Sequence, residues 1–429
     1  MLSTQPYKGV RDFFPDDIKV RNYIFDTWRK VCLSFGYEEY DGPFLEPFEL
    51  FSAKTGDEIV NNQLYSFEDK SGRKVAIRPE MTPTVSRMAA EKIRMQTPLP
   101  LKWFSIADFY RYEKPQKGRG REFYQLNVDI FGEESVNAEL EILLLNKGIM
   151  EKFGATDKMY EVRFNNRFLM NYLYERIASL TVPEIKAVQK AVDKKAKISN
   201  SEFESLLEKD IDKSKIKKVH EVLNLTISDI KKLKDLPDKA SNLLKLMEMA
   251  QKVGIKNIIY DPALVRGLDY YDGNVFEQYD LTKGNNRSMF GGGRYDGLIS
   301  LFIDKKVPAV GFAPGDITLM EFLKSWNLLP ETGSLVNLLV TVFPGNKACL
   351  EKSLEVSEKL REYINVETYL NPDMELTKQL KYADRKSIPF VLIIGPDELA
   401  KELLLIKNLK TEEQSKMKSL QDVVKLIKS

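Results

Sequence analysis

Two β-rich runs, 101–112 and 122–132, are joined only by 113–121, a loop dense in charge and glycine. A connection this short cannot hold the helix that carries one parallel strand to the next, so the two runs must pair antiparallel. Any fold for this chain has to be built around that hairpin. On its second strand Phe123, Gln125 and Asp129 share one parity and therefore one face. Burying Gln and Asp without partners is expensive, so the face fits a polar ligand or, equally, solvent.

Upstream, 13–36 reads as a helix: Pro15, Asp16 and Asp17 suit its first turn and Gly36 its stop. Ile24, Trp28, Val31 and Phe35 form one apolar stripe on it. A strand is expected near 37–45, interrupted by Gly42 and Pro43, then a hairpin of 63–68 with 74–78, and a helix over 81–94. From 168 to 254 the texture turns helical and lysine-rich, with 16 basic and 12 acidic residues over 184–253. Thr181 with Glu184, and Ser201 with Glu204, have capping-box spacing. Strand signals resume at 255–260, so the helical block reads as an insertion into a β-rich domain. A Pro/Gly-containing linker at 328–333 precedes alternating strands and helices, which predict a small α/β domain with a mainly parallel sheet. The expected division is a catalytic domain of 1–167 and 255–328, a helical insertion of 168–254, and an α/β domain of 333–429.

Composition narrows the chemistry. The chain has 429 residues, room for two to four domains at roughly 100–200 residues each. Its 65 Lys+Arg balance 63 Asp+Glu, so any RNA contact has to come from local patches rather than a global basic footprint. No run reaches the roughly 18 apolar residues that a membrane helix needs, and the N-terminus has no signal-peptide pattern. Cys32 and Cys349 lie far apart, which excludes a disulfide scaffold or a cysteine zinc site and suits a reducing cytoplasm. With His220 as its single histidine, the chain is a poor candidate for Ser-His-Asp or multi-histidine metal chemistry. The chemistry must run on arginine, carboxylates, tyrosine and bound ions.

Three clusters could carry it. Arg78-Pro79-Glu80-Met81-Thr82 sits at a strand-to-helix junction, where Glu80 and Thr82 could hold an ammonium group or merely start the helix. The hairpin carries Arg111, Glu113, Lys117, Arg119 and Arg121, ahead of Phe123, Gln125 and Asp129. Arginines on a glycine-flexible loop suit planar, bidentate recognition of polyphosphate. The third cluster joins Val265-Arg266-Gly267-Leu268-Asp269-Tyr270-Tyr271 to Gly291-Gly292-Gly293-Arg294-Tyr295. Three consecutive glycines allow a close backbone approach or a tight turn, and they match neither a P-loop nor a dinucleotide fingerprint.

Together Lys8-Gly9-Val10-Arg11-Asp12, the RPEMT segment, 109–132, VRGLDYY at 265–271 and GGGRYDGL at 291–298 resemble histidyl-tRNA synthetases, of the class II aminoacyl-tRNA synthetases. The resemblance implies an α+β fold: an antiparallel-sheet catalytic domain with a helical insertion, plus a C-terminal α/β anticodon-binding domain. It implies ATP-dependent ligation of L-histidine to its tRNA through a histidyl-adenylate, in a cytoplasmic homodimer packed through the first helix and Pro43, with Mg²⁺ on the outer phosphates and no membrane contact. By similarity Arg111 and Arg266 serve the α-phosphate as catalytic residues and reach bound histidine. Glu113 meets the adenine edge, Arg119 the outer phosphates, and Phe123 stacks under adenine. Glu80, Thr82 and Gln125 hold the histidine ammonium, Asp129 and Tyr271 read the imidazole, and Tyr270 lines the pocket. The family commonly has glutamate at the position of Asp129. Its third motif usually carries an arginine where Thr318 stands here, which leaves Arg119 and Arg294 as candidate cations for the γ-phosphate. The alternative implied reading is the synthetase-like regulatory subunit of ATP phosphoribosyltransferase, which shares the fold; the intact VRGLDYY segment and the complete C-terminal domain speak against it.

Overall fold

The computed structural model describes residues 2–53, 55, 59–116, 118–195, 198–268, 270–283, 288–331 and 333–428. Lys117 and Asp269 of the motifs above lie outside them. The chain forms two compact units, Met1–Pro330 and Glu331–Ser429.

The first unit opens with α1 (Pro15–Ser34), where Asp17 accepts the Phe14 N–H at 3.1 Å. Gly36, at φ +76°, releases the chain from it. The expected strand after α1 divides at Gly42-Pro43 into β1 (Glu38–Glu39) and β2 (Leu45–Pro47). After α2 (Phe48–Ser52), β3 (Ser66–Glu68) and β4 (Lys74–Ile77) form the expected hairpin, and β2 joins it as a small antiparallel sheet.

Next come α3 (Thr82–Arg94), β5 (Leu101–Tyr110) and β6 (Glu122–Phe131), then α4 (Asn137–Lys152) and β7 (Tyr160–Asn166). The helical block follows: α5 (Arg167–Ala178), α6 (Val182–Lys195), α7 (Asn200–Asp210), α8 (Lys213–Leu223), α9 (Ile227–Lys232) and α10 (Asp238–Lys252). Thr181 and Glu184 cap α6 as expected, at 2.7 and 2.8 Å. For α7 the box is Ser199 with Glu202, two residues earlier than the spacing of Ser201 and Glu204 suggested. Starting there, the helix buries Phe203 and Leu207 one turn apart on its inner face.

The unit closes with β8 (Ile258–Tyr260), β9 (Asn274–Asp280), β10 (Ser288–Arg294), β11 (Ala309–Pro314) and α11 (Asp316–Ser325). Eight strands form one sheet in the order β1-β5-β6-β11-β10-β9-β7-β8. Its interior pairings are antiparallel, and only the edge strands β1 and β8 run parallel to their neighbours. One face carries Phe104, Leu126, Val128 and Ile130, packed with Trp28 of α1, Leu145 of α4 and the apolar sides of α5 to α10. The helical insertion therefore shares its core with the sheet. The opposite face carries Trp103, Phe109, Phe131, Tyr270, Tyr271 and Tyr295 around α3.

A buried ion pair ties this sheet to α4. Arg294 and Glu139 are buried; Arg294 Nε donates to Glu139 Oε1 at 2.8 Å and Nη2 to Oε2. Asn274 Nδ2 adds a bond to the same carboxylate at 3.0 Å.

In the second unit, β12 (Leu338–Val340), α12 (Lys347–Arg361), β13 (Val366–Thr368), α13 (Leu376–Arg385), β14 (Phe390–Ile393), α14 (Pro396–Ala400) and β15 (Leu404–Asn408) follow the expected alternation. The sequence reading did not anticipate β16 (Gln414–Met417) and α15 (Leu420–Lys428). The sheet order is β13-β12-β14-β15-β16. It is parallel through β14 and antiparallel beyond, so "mainly parallel" describes only half of its pairings: the short β14–β15 and β15–β16 connections reverse the chain.

Removing Arg294 strands the Glu139 carboxylate in the core. Arg294→Ala should cost about 3–5 kcal/mol of stability in urea unfolding. A loss under about 1 kcal/mol would show that the pair does not carry the junction.

Candidate active site

The site grows from positions on β10 and β11 that carry no side chain. Gly293 pairs with Gly311, and Gly311 with Asp129 of β6, in one row across the sheet. Two residues along, Gly291 pairs with Glu277 of β9. A Cβ on Gly311 would lie 2.2 Å from Asp129 Oδ1, and one on Gly293 would lie 2.8 Å from the Tyr271 ring. A Cβ on Gly291 would lie 2.2 Å from Arg266 Nη1. The glycine triplet is thus a strand whose bare surface other side chains lie upon, not a turn.

Over Gly291, Arg266 Nη1 reaches Glu277 Oε1 at 2.5 Å, while Tyr279 OH donates to Glu277 Oε2 at 2.6 Å. Arg266 Cζ is 5.6 Å from the Tyr271 ring centroid. The loop carrying Arg266 is held by its carbonyls: Arg167 donates to the oxygens of Tyr271 at 2.6 Å, Arg266 at 2.9 Å and Leu268 at 3.3 Å.

Beside it lies a cleft of about 360 Å³ whose lining includes Arg111, Glu113, Arg119, Phe123, Gln125 and Arg266. Arg111 Nε donates to Pro79 O at 2.9 Å, and its guanidinium lies 5.2 Å from the Phe123 ring centroid. Arg119 bonds Glu113 at 3.1 Å from the exposed end of the loop. Phe123 rests against Phe109, with centroids 5.9 Å apart. The β6 parity therefore holds for Phe123 and Gln125, which face the cleft.

Glu80, Thr82, Asp129, Tyr270 and Tyr271 gather in an adjoining buried cluster. Thr55 Oγ1 donates to Glu80 Oε1 at 2.9 Å and Tyr270 OH to Oε2 at 2.7 Å; the same hydroxyl is 3.4 Å from Thr82 Oγ1. Tyr295 OH donates to Asp129 Oδ1. The Tyr295 ring sits 5.8 Å from Tyr270 and 6.4 Å from Tyr271. Burial pushes the Asp129 carboxyl up to about 7, and the Tyr295 hydrogen bond only partly opposes this. Tyr295, Glu277 and Arg167 are site residues that the sequence reading missed. Tyr295 was signalled by its place in the GGGRY segment, two residues after the glycine triplet, whereas no sequence signal marked Glu277 or Arg167.

One expected residue lies elsewhere. Arg294 does not border the cleft, because all three of its nitrogens are engaged in the core: beyond Glu139 they meet Glu133 O at 3.1 Å, Ser135 O at 3.2 Å and Asp296 at 3.3 Å. It is removed from the ATP-binding set and from the candidates for the γ-phosphate. Thr318 does border the cleft, but its hydroxyl donates to Met289 O at 2.7 Å.

Comparison with known proteins bears on the family and the fold. The family model described as histidyl-tRNA synthetase matches residues 9–315, and the one described as anticodon binding domain matches 339–429. A histidine–tRNA ligase of Leptospira biflexa is 41% identical over 417 residues, covering 96% of this chain and 95% of its own. One from Opitutus terrae is 38% identical over 425 residues, covering 97% and 96%. The crystal structure of histidyl-tRNA synthetase from Nostoc superposes with a TM-score of 0.82 at 24% identity, covering 100% of this chain and 99% of that one.

The raised Asp129 carboxyl has a consequence for stability. The folded protein takes up a proton that the unfolded chain, with an ordinary aspartate near 3.8, does not, so stability is lost as pH rises from about 4 through about 7. Asp129→Asn keeps an acceptor for Tyr295 and removes this loss. It should stabilise the protein increasingly between pH 4 and 7 in thermal melts, then by a constant amount above; an effect independent of pH would contradict the assignment.

Proposed function

The chain belongs to the histidyl-tRNA synthetase family, and from that premise we propose that it ligates L-histidine to its tRNA through a histidyl-adenylate formed in this cleft. A histidine carboxylate oxygen attacks the α-phosphorus of ATP in line, the bond to the β-phosphate oxygen breaks, and pyrophosphate leaves. The terminal ribose hydroxyl of the tRNA then attacks the histidyl carbonyl and AMP departs. The protein forms no covalent bond in this scheme; its contribution is position and charge.

The carrying observation is Arg266, a half-buried guanidinium laid across Gly291 beside the cleft. It and Arg111 are the fixed cations for the α-phosphate and reach the carboxylate of bound histidine. Arg119 is the loop cation for the outer phosphates, Phe123 stacks under adenine and Glu113 takes the adenine edge. Arg266 and Arg119 now pair with Glu277 and Glu113, so phosphate oxygens enter by exchange with carboxylates. Glu80, Thr82 and Gln125 receive the ammonium, and Asp129 with Tyr271 reads the imidazole in a pocket walled by Tyr270. Mg²⁺, a hard cation commonly held by substrate phosphates with few carboxylates, would neutralise the outer phosphates. The carboxylates among the described residues that line the cleft are Glu113, Asp193, Glu277 and Asp316, of which Glu113, Glu277 and Asp316 each have an arginine partner.

The 168–254 helices are proposed to meet the tRNA acceptor arm and the second unit to meet the anticodon. A homodimer packed through α1 fits the exposure of Phe14 and Leu33 at its two ends. No described helix is long and apolar enough to cross a membrane, and both cysteines are free and buried, as suits a reducing cytoplasm.

Histidine-dependent ATP–pyrophosphate exchange, followed by tRNA charging, tests the reading. Arg266→Ala should lower exchange by about 10²–10³ with the fold intact, and Arg266→Lys should fail too, because a point charge does not replace a planar fork. Arg119→Ala should raise the ATP requirement sharply and Thr318→Ala should change it little. A wild-type protein without exchange would favour the regulatory-subunit reading; normal exchange in Arg266→Ala would remove that residue from the mechanism.

A further inference from the structure

The segment 7–11 forms a strap that the mechanism above does not use. Gly9, at φ +89°, offers its carbonyl to the backbone N–H of Arg121 at 2.6 Å and of Glu122 at 3.3 Å. A Cβ there would lie 2.8 Å from Arg121 Cγ and from Pro115 Cγ, so the strap lies flat on the far limb of the 113–121 loop. Arg121 clasps it in return: Nη1 donates to Tyr7 OH at 2.7 Å while the guanidinium covers the Tyr112 ring at 4.0 Å. Arg11 N–H meets Glu122 Oε2 at 3.3 Å.

The strap then crosses to α11. Arg11 Nη2 donates to Asp316 Oδ2 at 2.8 Å, and Asp316 Oδ1 accepts the Tyr124 N–H at 2.9 Å. Asp316 is buried in the first turn of α11 and borders the cleft. Gly120 of the loop closes the circle: a Cβ on it would lie 3.1 Å from Gly9 O and 3.3 Å from Ile317 Cδ1. One arginine–carboxylate bond thus fixes the loop limb, β6 and α11 together, on a helix where Thr318 supplies no cation.

We propose that Arg11 is a positioning residue for the nucleotide: through Asp316 it sets the 113–121 loop against the first turn of α11, so that Arg119 is presented over the cleft. This rests on the reading of the cleft as the ATP site. Arg11 acts on the loop and not on phosphate. A part-buried, charge-assisted hydrogen bond of this kind carries about tenfold or more in an equilibrium constant.

Two measurements separate the proposal from the reading beneath it. In pyrophosphate exchange, Arg11→Ala should raise the KM for ATP about tenfold while leaving the KM for histidine near wild type. Arg11→Lys, which keeps charge and reach, should recover part of the loss. The double variant Arg11→Ala/Asp316→Asn should be no worse than the worse single variant, as expected for two ends of one bond. Hydrogen exchange on the full-length protein without nucleotide supplies the second readout: Arg11→Ala should speed exchange at residues 119–124 and leave α3 unchanged. Unaltered exchange there, equal rises in both KM values, or additive single effects would each overturn the proposal. A wild-type protein that binds no ATP by calorimetry, yet shows the faster loop exchange in Arg11→Ala, would instead sink the cleft reading and leave the strap's hold on the loop established.

Discussion

The site depends on a patch of sheet with no side chains. Gly291, Gly293 and Gly311 occupy one face of β10 and β11, and Arg266, Tyr271 and Asp129 fill the space where their Cβ atoms would stand. Glycine in a strand interior forfeits packing and adds unfolded-state entropy, so such a patch weakens a sheet unless other groups cover it. Here the cover is the set of side chains proposed to bind histidine and ATP. Register does the rest: Glu277 is the cross-strand partner of Gly291, so a guanidinium lying over that glycine meets a carboxylate at the next strand.

The opposite face of the sheet supplies rigidity. Trp28, Phe104, Phe164 and Phe276 are fully buried there among the helices, with Phe164 and Phe276 stacked at 5.2 Å. Preorganised cations stabilise developing charge only if they need not reorganise during reaction, and close-packed interiors provide that constraint. In the resting cleft Arg266 and Arg119 are held by carboxylates, so in the proposed reaction phosphate would replace one oxyanion with another and the guanidinium planes need move little. Asp129 follows a different logic. It is buried against the Tyr295 hydroxyl, burial raises its proton affinity, and a ligand supplying an N–H would favour the ionised form.

Much of this was readable in the sequence, for local reasons. The antiparallel hairpin followed from a connection too short for a helix, and the shared face of Phe123, Gln125 and Asp129 followed from strand parity. The helix starting at Pro15 and the break at Gly42-Pro43 rested on backbone chemistry that needs no tertiary context. What was missed is non-local. Arg294 follows three glycines and looks available, yet its guanidinium turns to Glu139, more than a hundred positions away. The glycine triplet could be turn or strand until Arg266 and Tyr271 were seen lying on it. Glu277 and Arg167 act only through partners from other segments, Arg167 through carbonyl oxygens that carry no sequence signature. The register of α7 slipped by two residues because two serine–glutamate pairs compete there, and burial of Phe203 and Leu207 decides between them.

Gly291→Ala asks whether the bare strand seats the arginine proposed to be catalytic. The added methyl would fall 2.2 Å from Arg266 Nη1 and 2.6 Å from Cζ, so the flexible end of that side chain must move, not the backbone. Histidine-dependent pyrophosphate exchange in Gly291→Ala should fall by about 10²-fold or more while the thermal melting curve stays close to wild type. Wild-type exchange in a folded Gly291→Ala protein would contradict the account.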